Sequence, residues 1–264
     1  MKNFPQVNFA ICDLSVVPLR ADVSDKSEMI SQLLFGELAE VQERSKQWLR
    51  VRTFADNYTG WIDEKQVQPI TPKQFKELNT AGSICCLDPL GIAKSKFREI
   101  QILTGSSLPN YHQQTFRINE EEFSFNGTVT DPTSANAWQM IPDFAKKFLN
   151  TPYLWGGRSL FGIDCSGFTN VVFKLAGIHL KRDAWQQSEQ GSIISFIDQA
   201  RAGDLAFFHN EEGKITHVGI LLDQQKIIHA SGRVRIDPVD HYGIYNEELK
   251  RYTHQLRLIK RMIG

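Results

Sequence analysis

The sequence predicts an α+β protein: a C-terminal domain in which helices precede an antiparallel sheet, set behind two small all-β barrels. Three observations carry this. Short apolar runs of strand length, broken by turn residues, fill the first half of the chain. "NGTVTDPTSANA", Asn126–Ala137, is a turn-rich linker. Beyond it the apolar period changes from alternation to helical spacing, and then back to strands.

The chain has 264 residues, a length that suggests two or three domains. With 41% hydrophobic and 23% charged residues it has the composition of an ordinary globular protein. Lys+Arg and Asp+Glu are both 30, so the net charge gives no reason to seek nucleic acid or an anionic membrane. No apolar run approaches the length of a membrane span. "MKNFPQVNFAICDLSVVPLR" lacks a long apolar segment and a small-residue cleavage site, so it does not read as a signal peptide. That favours the cytoplasm; a periplasmic or cell-surface protein trimmed of its export signal would look the same.

Residues 1–70 form the first expected barrel. "ICDLSVVPL" is extended, Trp48, Leu49 and Val51 fit a strand, as do Gly60, Trp61 and Ile62, and turns are signalled at Phe35-Gly36 and Asp56-Asn57. Residues 71–135 hold a connector, "TPKQFKELNTAG", and a second, divergent barrel. There "HQQTFRINEEEFSFNG" alternates at Phe116, Ile118, Phe123 and Phe125, as half-buried strands do. Residues 136–264 form the third domain. "AWQMIPDFAKKFLN" puts Ile141, Phe144, Ala145, Phe148 and Leu149 on one helical face, and a second helix after Asp164 carries Phe168, Val171, Val172 and Leu175 with Gly177 as its cap. A helix near "DAWQQSEQG" and strands "DLAFFH", "ITHVGILLD" and "KIIHAS" follow.

Four cysteines, Cys12, Cys85, Cys86 and Cys165, make no CxxC pair and no metal-finger spacing. Cys12, Cys85 and Cys86 sit in apolar settings and read as small buried hydrophobes. Cys165 differs, because it opens a helix, where unpaired N–H groups favour a thiolate and can stabilise an oxyanion. "ITHVGILLDQQKIIHAS" supplies two histidines. A hairpin centred on Asp223 would set His217 opposite His229, making His217 a base for Cys165 and His229 its orienting partner. Gly219 would leave space beside His217 for substrate or for the cysteine helix. A buried core thiol and a zinc site of Cys165, His217 and His229 are the competing possibilities at this point.

"DCSGF", "THVGI" and "IIHAS", in that order, resemble the NlpC family of bacterial cell-wall cysteine peptidases, which have a papain-like core. The resemblance covers residues 136–264. Two SH3-like barrels ahead of such a domain resemble the subgroup of γ-D-glutamyl-L-diamino acid endopeptidases. It implies Cys165 as nucleophile, His217 as base and His229 as orienter, with no cofactor and no metal. "TPYLWGGRS" resembles the cleft-lining segment, making Tyr153 and Trp155 substrate-facing, and Ser166 after the nucleophile can hydrogen-bond substrate. Asp183 matches an aspartate that binds the substrate's free amino end. The following residue, often serine in the subgroup, is Ala184 here, so one hydrogen bond to substrate is missing. Glu28 and Tyr58 of the first barrel are candidates for the far side of that pocket.

The implied reaction is hydrolysis of the γ-D-glutamyl–L-diamino acid bond in murein peptides with a free N-terminal L-Ala, a recycling role. The rivals are a wall-remodelling hydrolase, an amidase or acyltransferase on the same core, and a non-catalytic murein-binding protein.

Overall fold

The computed structural model describes residues 8–80, 84–134 and 136–263. The opening residues of the N-terminal stretch, the end of the connector and the boundary residue 135 lie outside the described residues. Two compact units are present. One comprises Met1–Thr133 with Gly156–Ser159, the other Ser134–Trp155 with Leu160–Gly264.

The first unit opens with β1 (Phe9–Ile11), β2 (Val16–Arg20), β3 (Met29–Leu34), β4 (Leu38–Ser45), β5 (Trp48–Thr53), β6 (Thr59–Asp63) and β7 (Gln68–Ile70). They form one antiparallel sheet in the order β3-β2-β6-β5-β4-β1-β7. Both signalled turns are present, with Gly36 at φ 78° and Asn57 at φ 57°. The connector is helical, α1 (Pro72–Thr80). Next come β8 (Ile84–Cys86), β9 (Leu90–Ser95), β10 (Glu99–Leu103), β11 (Ser107–Leu108), β12 (Thr115–Ile118), β13 (Glu121–Ser124) and β14 (Val129–Thr130). They make a four-stranded sheet, β10-β9-β13-β12, and a three-stranded one, β11-β8-β14. The alternating phenylalanines pack as expected: Phe116 pairs with Phe123 across the β12–β13 hairpin, and both meet Phe35 edge-on.

That last contact explains why residues 8–133 fall in one unit. Ile11, Phe35 and Ile70 from the first set of strands share a core with Cys86, Ile102, Phe116 and Phe123 from the second. Within this unit β15 (Arg158–Ser159) brings a guanidinium, 1% exposed, onto Glu37 at 2.7 and 3.0 Å and onto the Gln32 carbonyl at 2.6 Å.

The second unit holds β16 (Gly162–Ile163), three α-helices and one large sheet. The first helix is shorter than predicted. A 3-10 turn, Ala137–Met140, leads into α2 (Ile141–Lys146), because Pro142 can stand in the first turn but not deeper. Ile141, Phe144, Ala145 and Phe148 are buried, but Leu149 lies past the helix end and is 40% exposed, so it leaves the predicted face. Next is α3 (Cys165–Leu175), buried along its whole length. Gly177 at φ 78° ends it in a Schellman motif: Gly177 N–H donates to the Lys174 carbonyl and Ile178 N–H to that of Phe173. A single turn, α4 (Ala184–Gln187), completes the helices. The strands are β17 (Ser192–Ile194), β18 (Leu205–His209), β19 (Ile215–Leu221), β20 (Lys226–Ser231), β21 (Arg233–Pro238), β22 (Gly243–Asn246) and β23 (Arg251–Arg261). The sheet runs β17-β23-β18-β19-β20-β21, all neighbours antiparallel, with β22 on β23.

Candidate active site

Cys165 is the first residue of α3 and is 7% exposed, whereas Cys12, Cys85 and Cys86 are 0%, 1% and 0% exposed, as apolar packing predicts for them. Asp164 caps the helix, its Oδ1 accepting from Gly167 N–H at 2.6 Å. That carboxylate is buried and gripped by Arg182, itself 1% exposed, at 3.0 and 2.6 Å. Arg182 also donates to Ser166 Oγ at 2.9 Å, and Ser166 Oγ donates to Asp164 Oδ1 at 3.3 Å. The Ser166 hydroxyl, expected to face substrate, is therefore engaged inside the protein and holds the start of the cysteine helix. Gln187, 0% exposed, ties α4 to α3 by donating to the Ser166 carbonyl at 3.0 Å and accepting from Thr169 Oγ1 at 2.7 Å.

The expected hairpin is present, but its register differs by two residues. The loop centres on Gln224, with Leu222 N–H donating to Lys226, so His229 lies opposite Gly219 and not opposite His217. The two imidazoles meet along the diagonal, a separation that rings can bridge. His217 Nε2 and His229 Nδ1 are 2.8 Å apart, with the rings nearly perpendicular. Gly219 makes this possible. A Cβ there would stand 2.7 Å from Ile227 Cδ1 and 2.8 Å from His229 Cβ, so the space expected for substrate is filled by β20. A second diagonal step continues the row: Arg235 lies opposite His229, and Asp237, two residues on, takes His229 Nε2 at 3.0 Å. Arg235 holds the same carboxylate at 2.7 Å.

This chain of partners assigns the protons. Burial alone would raise the Asp237 pKa, but hydrogen bonds from His229 and Arg235 hold it below the usual carboxylate range. An ionised carboxylate only accepts, so His229 carries its proton on Nε2 and accepts at Nδ1. His217 then donates from Nε2 and keeps its lone pair on Nδ1, the nitrogen from which it can take a thiol proton. Burial, with the neighbouring imidazoles, pushes His217 well below its usual value, so it rests as a neutral base.

The thiol departs from the expectation of a helix-lowered pKa. Burial and the Asp164 charge push Cys165 up to about 12, against the downward pull of the Val218 and Ser166 N–H groups and of Arg182. The Val218 N–H that reaches the sulfur is one residue along β19 from His217. Among the described residues no hydrogen bond joins the thiol to either histidine. The resting pair is therefore thiol and imidazole, and the proton transfers as attack begins.

Tyr153 joins the site. It is 37% exposed, and burial and the nearby Cys165 and Asp164 raise its phenol, which stays a hydrogen-bond donor. Trp155 is 62% exposed. Asp183 is half-buried at the N-cap of α4, where its N–H donates to Gln186 Oε1 at 3.1 Å. Glu28, exposed, and Tyr58, half-buried against the Leu19 and Val51 core, lie in the first unit. Sequence reasoning missed Asp237, Arg182 and His254. His254, on β23, stacks on the His217 ring at 4.2 Å. Asp237 was open to discovery: Gly232 closes a tight hairpin, and extending it past "KIIHAS" puts Asp237 on the face of His229.

A helix-borne cysteine beside a histidine row on an antiparallel sheet is the arrangement of a thiol-dependent hydrolase. Comparison with known proteins supports a hydrolase of the peptidase class. Residues 150–254 match the NlpC/P60 family, and residues 19–67 match the bacterial dipeptidyl-peptidase Sh3 domain. The chain is 30% identical over 217 residues to the gamma-D-glutamyl-L-lysine dipeptidyl-peptidase of Bacillus subtilis, covering 76% of this chain and 71% of that one. It is 25% identical to dipeptidyl-peptidase 6 of Lysinibacillus sphaericus, over 91% and 95% of the two chains. A solved NlpC/P60 family protein of Bacillus cereus has the same fold, with a TM-score of 0.79 at 21% identity over 97% of this chain and all of the other. This chain belongs to the NlpC/P60 peptidase family and carries a bacterial SH3 domain ahead of the peptidase domain. No helix among the described residues is long and apolar enough to cross a membrane.

Proposed function

We propose that this protein is a cysteine endopeptidase that hydrolyses the γ-D-glutamyl–L-diamino acid bond of murein peptides, acting on released peptides with a free N-terminal L-Ala during cell-wall recycling. The observation that carries it is the buried row His217–His229–Asp237 beside Cys165, which fixes one tautomer of the base. The names of its Bacillus relatives support the bond and the substrate class.

Cys165 Sγ attacks the γ-carbonyl carbon as its proton passes to His217 Nδ1. First-turn N–H groups of α3 face the developing oxyanion. The amine leaves with the proton from His217, and a thioester remains. Water, deprotonated by His217, then releases the acyl product and restores the thiol. His229 and Asp237 orient the base and offset the charge it acquires. Tyr153 and Trp155 contact substrate, while Ser166 acts through Arg182 and Asp164. Asp183 pairs with the substrate ammonium. Glu28 and Tyr58 are assigned to substrate binding on the sequence resemblance alone. The same reading takes the first unit as two SH3-like barrels, near 1–70 and 71–135, before a papain-like α+β peptidase domain. The compartment it assigns is the cytoplasm.

The test compares L-Ala-γ-D-Glu-L-Lys with its N-acetylated form. An acetylated amine removes the charge that the half-buried Asp183 carboxylate would meet, a cost on the order of 2–5 kcal/mol. The free peptide should be cut roughly thirtyfold to several thousandfold better. Asp183→Ala should narrow that ratio. Equal cleavage of free, acetylated and wall-attached peptides would return the protein to wall remodelling, and absence of any cleavage to a binding role.

A further inference from the structure

We propose that His217, His229 and His254 form a binding site for a borderline divalent cation, zinc being the best match, and that filling it silences the peptidase. The inhibitory half rests on the reading of His217 as the base; the binding half stands without it.

Each histidine offers one ring nitrogen, and these nitrogens lie within 4.8 Å of one another. They come from three strands of one sheet, β19, β20 and β23. The rings are held by polar partners at the rear. Asp237 accepts from His229 Nε2 at 3.0 Å, the carboxylate–histidine contact that orients metal-bound imidazoles. Thr253 Oγ1 engages His254 Nδ1 at 2.9 Å. His217 and His229 are buried, while His254 is partly exposed and gives a cation its way in. Three neutral imidazoles with a water in the fourth position suit zinc, whereas magnesium and calcium prefer oxygen donors. Cys165 is not a member of the cluster, which differs from the cysteine-containing zinc set considered on sequence grounds.

The chemistry of inhibition follows from the tautomers. Two nitrogens on one tetrahedral zinc are separated by about 3.3 Å, so the His217–His229 contact must open by about half an ångström. The cation takes the lone pair of His229 Nδ1 and displaces the proton on His217 Nε2. That proton moves to His217 Nδ1, and Nε2 becomes a ligand. No proton is gained or lost overall and nothing is oxidised. The lone pair that would accept the thiol proton is then gone, although the thiol itself stays unligated.

The test uses full-length, untagged, chelator-treated protein. Cys165→Ser is titrated with zinc by calorimetry and with cobalt(II) by visible absorption, so binding is read whatever the substrate is. Saturable binding of one ion is expected, with no thiolate-to-cobalt charge-transfer band in the wild type. His254→Gln should weaken it at least ~10-fold, the scale on which even outer-shell partners matter. Zinc should arrest wild-type turnover, a chelator should restore it, and iodoacetamide should still alkylate Cys165 in the zinc-loaded protein. Binding indifferent to His254→Gln, or no saturable binding, removes the site. A charge-transfer band in the wild type that vanishes in Cys165→Ser replaces it with the cysteine-containing set, and this comparison decides even if His254→Gln fails to fold.

Discussion

Two effects oppose each other at Cys165. The helix start and two N–H groups favour the thiolate, while burial and Asp164 disfavour it, and burial wins. Access nevertheless separates this cysteine from the others, since it is 7% exposed and they are at most 1%. Iodoacetamide should therefore label Cys165 ahead of Cys12, Cys85 and Cys86. Its labelling rate should keep climbing with pH past the usual thiol value of about 8.5, because a raised pKa leaves the thiol protonated until more base is present. Mass-mapped alkylation across pH checks both points. A rate already level at neutral pH would mean a preformed thiolate–imidazolium pair.

At the scale of elements, the hairpin β19–β20 is the part on which the base depends. His229 reaches His217 only because residue 219 has no side chain. Gly219→Ala forces its Cβ into Ile227 and His229, an overpacking cost of about 1–3 kcal/mol. It should also shift His229 off the 2.8 Å contact. Misplacement of that size lowers kcat by about 100-fold. Melting curves and single-turnover rates together check this; full activity in a stable Gly219→Ala protein would show that the His217–His229 contact does not matter. The other supporting element is the 178–183 segment, clamped to α3 by Arg182 and by Asn170 Nδ2 on the Leu180 carbonyl.

Across the whole molecule, the buried histidines make stability depend on pH. Burial lowers His217, His229 and His254 below 6.5, the last to about 4. Their unfolded counterparts bind protons as the pH falls below 6.5 while the folded groups do not. Stability is therefore complete above 6.5 and declines as the pH drops toward 4, by up to ~1.4 kcal/mol per pH unit for each histidine. Thermal melts in chelator-containing buffer at pH 7.5 and pH 5 should show the lower Tm at pH 5, with a smaller drop in His254→Gln. A Tm indifferent to this interval would mean that the three rings are not neutral in the folded protein. Removing residues 1–70 is no clean probe of substrate choice, because Ile11, Phe35 and Ile70 share a core with Cys86, Phe116 and Phe123.

The sequence by itself determined the local matters. Gly36, Asn57 and Gly177 placed turns and a cap, the spacing of Phe168, Val171, Val172 and Leu175 placed the helix, and one-face alternation put His217 and His229 together. Each depends on periodicity or backbone preference within a few residues, which a sequence carries directly. Its motifs also carried the NlpC resemblance, now matched over residues 150–254. Tertiary structure decided the rest. A two-residue register change exchanged direct pairing for a diagonal, and two such diagonals brought in Asp237. Arg182 reached Asp164 across 18 residues, and His254 came from the far strand β23 to stack on His217. Burial, which sets the direction of the Cys165, His217, His229 and His254 pKa shifts, is a property of the packed molecule and has no local signature in the chain.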